Sequence, residues 1–416
     1  MTPLGDASTD SRAPLAPDAE GGGYRVTRNR PAPREKGGWH MFSFMGIPVL
    51  IRPGMILIMA AIGLSLGLDF FPSKYASHNY NPTVFVAMGA AGAFLFFLSI
   101  LIHEIAHCVF ARFNQVPIRR ISMFFLGGVS ELAHEPRTAR SEFAISLAGP
   151  AASLILGGTL WAVFFGLDAI NVPLYVSGVF SFVGMMNIIL GVTNLLPGFP
   201  LDGGRILRAL IWLKTRNFLR ATHVASITGR VLGFASIGTG LMFLFSVAFG
   251  GGLIQGMLLI MVGMFVERGA RESYEQALLR KALEKVRVAD VMHTNLPAVW
   301  EGLSLHDVVQ GYFMRYSVEA FPVVDHLGRL RGMLNTSMVQ RTPREQRLHL
   351  TVGQILPPDV LPPVCKPEET VDDLLTSMMR YRTPALAVVD EKGELLGAIM
   401  LRDILQTAHL RKHFVK

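Results

Sequence analysis

Uncharged stretches as long as a bilayer is thick decide what this chain can fold into. Val84–Ile102, Phe143–Leu167, Pro173–Pro197 and Val231–Val266 contain no Asp, Glu, Lys or Arg. About 20 apolar residues carry a helix across the hydrocarbon core, so the first three are one span each. The fourth is too long for one span, and Gly250-Gly251-Gly252 marks a turn that divides it. Its second half, Leu253–Val266, is short and reads as a thin or tilted span. A weaker run, Pro53–Leu68, can extend back towards Met45. Backbone groups in lipid must bond within their own segment, so each span is a helix. The expectation is a multi-pass α-helical membrane domain of about six transmembrane helices.

Composition agrees. Only 17% of the 416 residues are charged, against about 25% in a soluble domain, which excludes an ordinary cytosolic enzyme. The net charge of +8 comes from basic residues scattered between apolar runs, not from a stripe that would grip nucleic acid. One basic loop holds Arg112, Arg119, Arg120, Arg137 and Arg140, and another holds Arg205, Arg208, Lys214, Arg216, Arg220 and Arg230. By the positive-inside rule these loops are cytoplasmic, and six spans then put both termini on that side. The expected location is the inner membrane of a prokaryotic cell. Residues 1–40 have no apolar run and read as a disordered tail, its basic end (Arg25 to Lys36) either at the membrane surface or merely solubilising. Cys108 and Cys365 lie too far apart in sequence and setting to read as a structural disulfide.

After the last span the composition changes. A membrane domain over 41–266 gives way to a charged linker helix over 267–285, within the charged stretch Glu267–Arg287. Two similar units follow, 286–345 and 346–416. Met314-Arg315-Tyr316 matches Met379-Arg380-Tyr381, Phe321–Asp325 matches Leu386–Asp390, and Gly328 and Gly332 match Gly393 and Gly397, all at a constant offset of 65 residues. Each unit runs helix, Val-rich strand, Gly turn, strand, helix: a soluble α/β repeat pair.

Chemistry concentrates at Leu101-Ile-His-Glu-Ile-Ala-His-Cys108. Residues four apart on a helix share a face, so His103 and His107 can offer imidazole nitrogens to one Zn²⁺. Glu104 beside them is placed to take a proton from water at the metal. Ionisable groups in a span are costly and read as functional. A catalytic zinc needs a third protein ligand. The best candidate is Asp202 in Asn194-Leu-Leu-Pro-Gly-Phe-Pro-Leu-Asp-Gly-Gly204, where prolines and glycines unwind the backbone beside a cavity; the competing reading is a membrane-exit turn with Asp202 facing water. Glu131 and Glu142 are the next candidates.

These residues, together with Ala148-Gly-Pro150, resemble the site-2 protease family of intramembrane zinc metalloproteases, peptidase family M50, over about residues 45–266. The resemblance implies one zinc per chain on His103, His107 and Asp202, with Glu104 as general acid/base. It also implies an Asn before the Asp segment that serves substrate or transition state, for which Asn187 and Asn194 both fit. Gly127-Gly128-Val129 matches the family's Gly-Gly-Val segment, and the flanking Phe124–Leu132 stretch could pair with an unwound substrate strand. The repeat pair resembles tandem CBS domains, which sense adenosine nucleotides. Their ribose-binding Asp is matched by Asp403, but Met400 stands where a hydroxyl is expected, and Met338 replaces the Asp in the first unit. At most one weak nucleotide site, or a purely dimerising role as a homodimer, follows.

The implied activity is cleavage of transmembrane segments of substrate proteins in regulated intramembrane proteolysis, modulated by nucleotide at the CBS pair. The partners are transmembrane substrates and the lipid bilayer, with no nucleic acid. The alternative is a CBS-gated divalent-metal transporter, which would need neither Glu104 nor the Gly-Gly-Val segment.

Overall fold

The computed structural model describes residues 38–78, 80–124, 127–132, 135–245, 252–316, 318–356, 364–381 and 383–412. The proposed tail up to Gly37 and the turn at Gly250-Gly251 lie outside them. The chain divides between Leu278 and Leu279 into two compact units.

In the first unit β1 (Trp39–Phe44) and β2 (Ile47–Ile51) form a hairpin, so the first span does not reach back to Met45. Met45 and Gly46 take φ of 51° and 83°, which no right-handed helix tolerates. Helix α1 (Pro53–Ser65) starts instead at Pro53, whose fixed φ and missing N–H suit a first helical position. It continues through a π-helical turn, Leu66–Phe70, into α2 (Phe71–Lys74). Helix α3 (Pro82–Phe113), capped by Asn81 Oδ1 accepting from Thr83 N at 3.0 Å, continues past Ile102, so the two histidines sit inside an unbroken helix. α1 and its π turn meet α3 backbone to backbone: a Cβ added at Gly67 would lie 2.8 Å from Val86 Cα, and one at Gly89 2.5 Å from Gly67 N.

Strands β3 (Ile118–Phe124) and β4 (Gly127–Leu132) pair antiparallel, and β3 runs parallel to β2, giving the order β1-β2-β3-β4 with β4 at one edge. Then follow α4 (Ala139–Ala169), α5 (Leu174–Asn194), the short α6 (Asp202–Thr215), α7 (Phe218–Phe245) and α8 (Leu253–Leu283). Among the described residues, 6 helical segments are long and apolar enough to cross a membrane: Pro53–Lys74, α3, α4, α5, α7 and α8. The charged stretch expected to form a linker helix from Glu267 is helical as far as Leu283, continuous with the last span. α8 runs through that point, because a change from apolar to charged side chains does not interrupt helical hydrogen bonding.

The second unit holds β5 (Val299–Trp300), α9 (Leu305–Val308), α10 (Met314–Tyr316), β6 (Ala320–Val324), β7 (Leu330–Asn335), α11 (Thr336–Arg341), α12 (Val352–Ile355), β8 (Val364–Cys365), α13 (Val371–Tyr381), β9 (Ala385–Val389), β10 (Leu395–Met400) and α14 (Leu401–Lys412). Each sheet has one parallel and one antiparallel pair, and the second set of strands keeps the repeat's offset from the first. Phe321, Leu334, Ala387 and Met400 share one core. The lead-in of each repeat bonds to the other: Val288 N to Glu369 O at 3.0 Å and His293 N to Ala398 O at 2.8 Å, and Leu305 N to Leu350 O at 3.0 Å.

Candidate functional site

Three helices build the site. His103 and His107, one turn apart and buried on α3, bring their Nε2 atoms to 3.2 Å. Asp202 Oδ2, from the first residue of α6, lies 3.2 Å from each of them. Ligand atoms bound tetrahedrally at zinc's usual distances to nitrogen lie about 3.3–3.4 Å apart, so this triangle has the edge that one ion requires.

The protonation pattern fits the same conclusion. His107 Nδ1 donates to the Ile145 carbonyl oxygen at 2.7 Å, which leaves its Nε2 lone pair bare in the neutral ring. His103 Nδ1 lies 2.9 Å from Ser153 Oγ, and a proton held there does the same for His103. Both partners belong to α4. Between them, Gly149 keeps the space clear: a Cβ there would stand 2.6 Å from His103 Nε2. Three lone pairs thus face one small region that a single methyl group would fill, and the residues present fit a zinc ion.

Asp202 sits at the positive end of α6, which favours its ionised form. Burial would push its carboxyl up, but without a metal the protonated rings of His107 and His103 hold it well below the usual carboxylate range. A bound cation would take over that role as those rings lose their Nε2 protons. The turn before it packs tightly: a Cβ at Gly203 would lie 2.5 Å from the Leu195 carbonyl carbon.

Glu104 is buried beside this triangle, against β4, where a Cβ on Gly128 would come within 2.9 Å of its Cδ. A cavity of about 440 Å³ opens on His103, Glu104, His107, Gly128, Asn194 and Asp202. Its remaining wall is largely apolar, with Met55, Ile58 and Met59 of α1 facing Phe96, Phe97 and Ile100 of α3.

The two asparagines separate. Asn194 lines the cavity, with Nδ2 donating to Leu190 O at 3.0 Å. Asn187 does not face it: its amide donates to Ser99 Oγ at 2.9 Å and Val183 O at 2.8 Å inside the helix bundle. Gly127 pairs with Phe124 at the start of β4, one residue before the cavity wall. Glu131 pairs with Arg120 at 2.8 Å and Glu142 with Arg208, so neither reserve ligand points at the metal position.

In the second unit Asp403 Oδ2 lies 2.9 Å from His293 Nε2, and Arg402 Nε is 3.6 Å from its other oxygen. Sequence spacing gave His293 no role, because 110 positions separate it from Asp403. Ser153 was equally hidden. Gly149 had a signal in Ala148-Gly-Pro150, though only geometry explains it.

Comparison with known proteins bears on the whole arrangement. The profile of peptidase family M50 matches residues 91–174 and 167–236, and that of the CBS domain matches 288–341 and 352–409. Rip3 of Mycobacterium tuberculosis, whose name places it with the zinc metalloproteases, is 32% identical over 325 residues, 78% of this chain and 82% of that protein. Zinc metalloprotease MJ0392 of Methanocaldococcus jannaschii is 28% identical over 368 residues, 88% of this chain and 94% of that protein. The solved structure of the site-2 protease from the same organism aligns with 57% of this chain and 95% of its own, at 30% identity and a TM-score of 0.39.

Proposed function

Because the chain belongs to peptidase family M50, as a multi-pass zinc metalloprotease with a C-terminal CBS pair, we propose that it hydrolyses peptide bonds inside transmembrane segments of other membrane proteins. One observation carries this reading. The triangle of His103, His107 and Asp202, with Glu104 beside it, opens on a cavity whose wall is largely apolar side chains of membrane-length helices, with Asn194 and Arg205 as its other polar groups.

Zinc, when bound, supplies a Lewis acid that polarises the scissile carbonyl and acidifies water. Glu104 takes the water's proton on a carboxylate oxygen as the water oxygen bonds to the carbonyl carbon. It then gives a proton to the amide nitrogen as the C–N bond breaks. Ile145 and Ser153 keep the imidazoles oriented with Nε2 forward. Asn194 spends one amide hydrogen on Leu190 and has another for the carbonyl oxygen as negative charge develops. A helical substrate hides its peptide bonds in its own ladder, so it must unwind. β4, at the sheet's edge, offers the extended strand a pairing partner through Gly127 and Gly128.

On this reading the site opens to the cytoplasm and both termini lie there, in the inner membrane of a prokaryotic cell; the basic loops support that orientation. The CBS pair, assembling as a homodimer, modulates cleavage through one adenosine nucleotide at Asp403. The test compares membrane-protein fragments from cells carrying wild type and Glu104→Gln. The variant should keep stoichiometric zinc and lose about 10²- to 10⁴-fold in cleavage, whereas Asp202→Ala should lose zinc itself. Cleavage retained by Glu104→Gln, with metal flux in proteoliposomes, would move the assignment to a transporter.

A further inference from the structure

Asp202 reaches the two histidines from a different helix, so the site exists only while α6 keeps its place against α4. α4 carries the outer partners of both imidazoles, and α6 begins with the third donor. What joins these two helices is a buried charge cluster. Arg208 of α6 is 3% exposed and Glu142, in the first turn of α4, is 1% exposed. The Arg208 Nε donates to Glu142 Oε1 at 2.6 Å, its Nη2 reaches the same oxygen, and its Nη1 lies 3.6 Å from Glu135. Two rings flank the guanidinium, with centroids 5.1 Å (Phe199) and 4.6 Å (Phe218) from Cζ. Phe199 belongs to the turn that leads into Asp202, and Phe218 opens α7.

Such a cluster is an odd choice for stability alone, since apolar packing of similar volume commonly does as well or better. Its distinguishing property is direction. A planar guanidinium whose Nε and Nη2 converge on one carboxylate oxygen, with two ring centroids close to its Cζ, restricts the rotation and the slide of the helix that bears it. Lever arithmetic shows why that matters here. Arg208 lies about 9 Å along α6 from Asp202, so a 10° tilt there moves the carboxylate by about 1.5 Å, against a tolerance of about 0.2 Å for a metal–ligand bond. We propose that Arg208, held by Glu142 between Phe199 and Phe218, is a positioning residue that sets Asp202 against His103 and His107 and so sets zinc affinity. The proposal rests on the metal-centre reading above.

The test uses the full chain in detergent, with zinc affinity from chelator competition and the ligand-field spectrum of the Co²⁺-substituted protein. Arg208→Lys keeps a cation but loses the fork, and Glu142→Gln loses the charge. Each should weaken zinc at least tenfold and reduce the tetrahedral Co²⁺ bands. Phe218→Leu leaves both charges in place and should act in the same direction by a smaller factor; it carries the test if the charge variants do not fold. Lower melting temperatures with unchanged zinc affinity and Co²⁺ spectrum would show that the cluster only supports the fold, and would overturn the proposal. A wild type that takes up no stoichiometric zinc, or a His103→Ala variant that binds it equally well, would defeat the metal-centre reading and the clamp with it.

Discussion

Replacing Gly149 with Ala puts a methyl carbon 2.6 Å from His103 Nε2 and 2.6 Å from His107 Cε1. Non-bonded carbon contacts settle at about 3.5 Å, so the rings would have to retreat by about 1 Å. They have little room, because each Nδ1 is tied to α4, the helix that bears the new methyl. An ion about 2 Å from both Nε2 atoms lies within about 3 Å of the added carbon on either side of them, so methyl and metal compete for one space. Losing one outer hydrogen bond costs about 1 kcal/mol, and a displaced ligand costs more. A total of about 3 kcal/mol is on the order of a hundredfold in zinc Kd. Helix propensity works in the opposite direction, favouring Ala over Gly by about 1 kcal/mol. The metal-free protein should therefore melt close to wild type while zinc binding collapses. Chelator competition and thermal unfolding in EDTA measure the two quantities separately. Gly158→Ala is the control, on the same helix, where a Cβ meets nothing within 4 Å. A zinc affinity for Gly149→Ala within about threefold of wild type would refute the geometry from which the metal position was drawn.

Ser153→Ala removes the partner of His103 Nδ1 and should weaken zinc by about 10- to 100-fold, read by the same competition; an unchanged affinity would mean that the ring needs no such anchor. Gly128→Ala crowds Glu104 without touching the metal triangle, so kcat should fall while zinc content stays at wild type; equal kcat would separate β4 from the reaction. In the CBS pair, a ribose must take Asp403 from His293, and a charge-assisted bond of that kind is worth about 1.5–3 kcal/mol. Calorimetry on the full chain should find at most one adenosine-nucleotide site, tightened by His293→Ala and lost in Asp403→Ala; two equivalent sites, or indifference to Asp403, would contradict this.

The membrane helices were legible because lipid demands a long uncharged run, and such runs survive any reading frame of doubt about boundaries. Phe143–Leu167 falls inside α4 and Pro173–Pro197 overlaps α5 almost end to end. What composition cannot see is where a helix continues in charged sequence, as α3 does to Phe113 and α8 to Leu283. It also allowed β2 (Ile47–Ile51) as a possible helical extension, since apolar strands and apolar helices look alike until the turn at Met45 and Gly46 is known. Within the site, His103, Glu104 and His107 announce themselves by spacing along one helix. Ser153, the Ile145 carbonyl and the Arg208–Glu142 pair do not, because each joins residues dozens of positions apart. The exchange of lead-in segments between the CBS repeats is invisible for the same reason: the repeat pattern says which segments are alike, not which lie together.

The glycine contact between α1 and α3 has a bearing on the energetics of the host membrane. The cavity wall reaches Ile62 and Ala93, immediately next to Gly63 and one turn from Gly89. Just there the two backbones touch, with no room for a side chain between them. A hydrolase that draws water into a bilayer would otherwise short-circuit the proton gradient across it. In an intramembrane peptidase the contact at Gly63, Gly67 and Gly89 would bar water from passing on between α1 and α3 beyond the cavity. A bulky side chain at Gly89 would prise the helices apart and turn a peptidase into a leak, visible as faster pH equilibration of proteoliposomes.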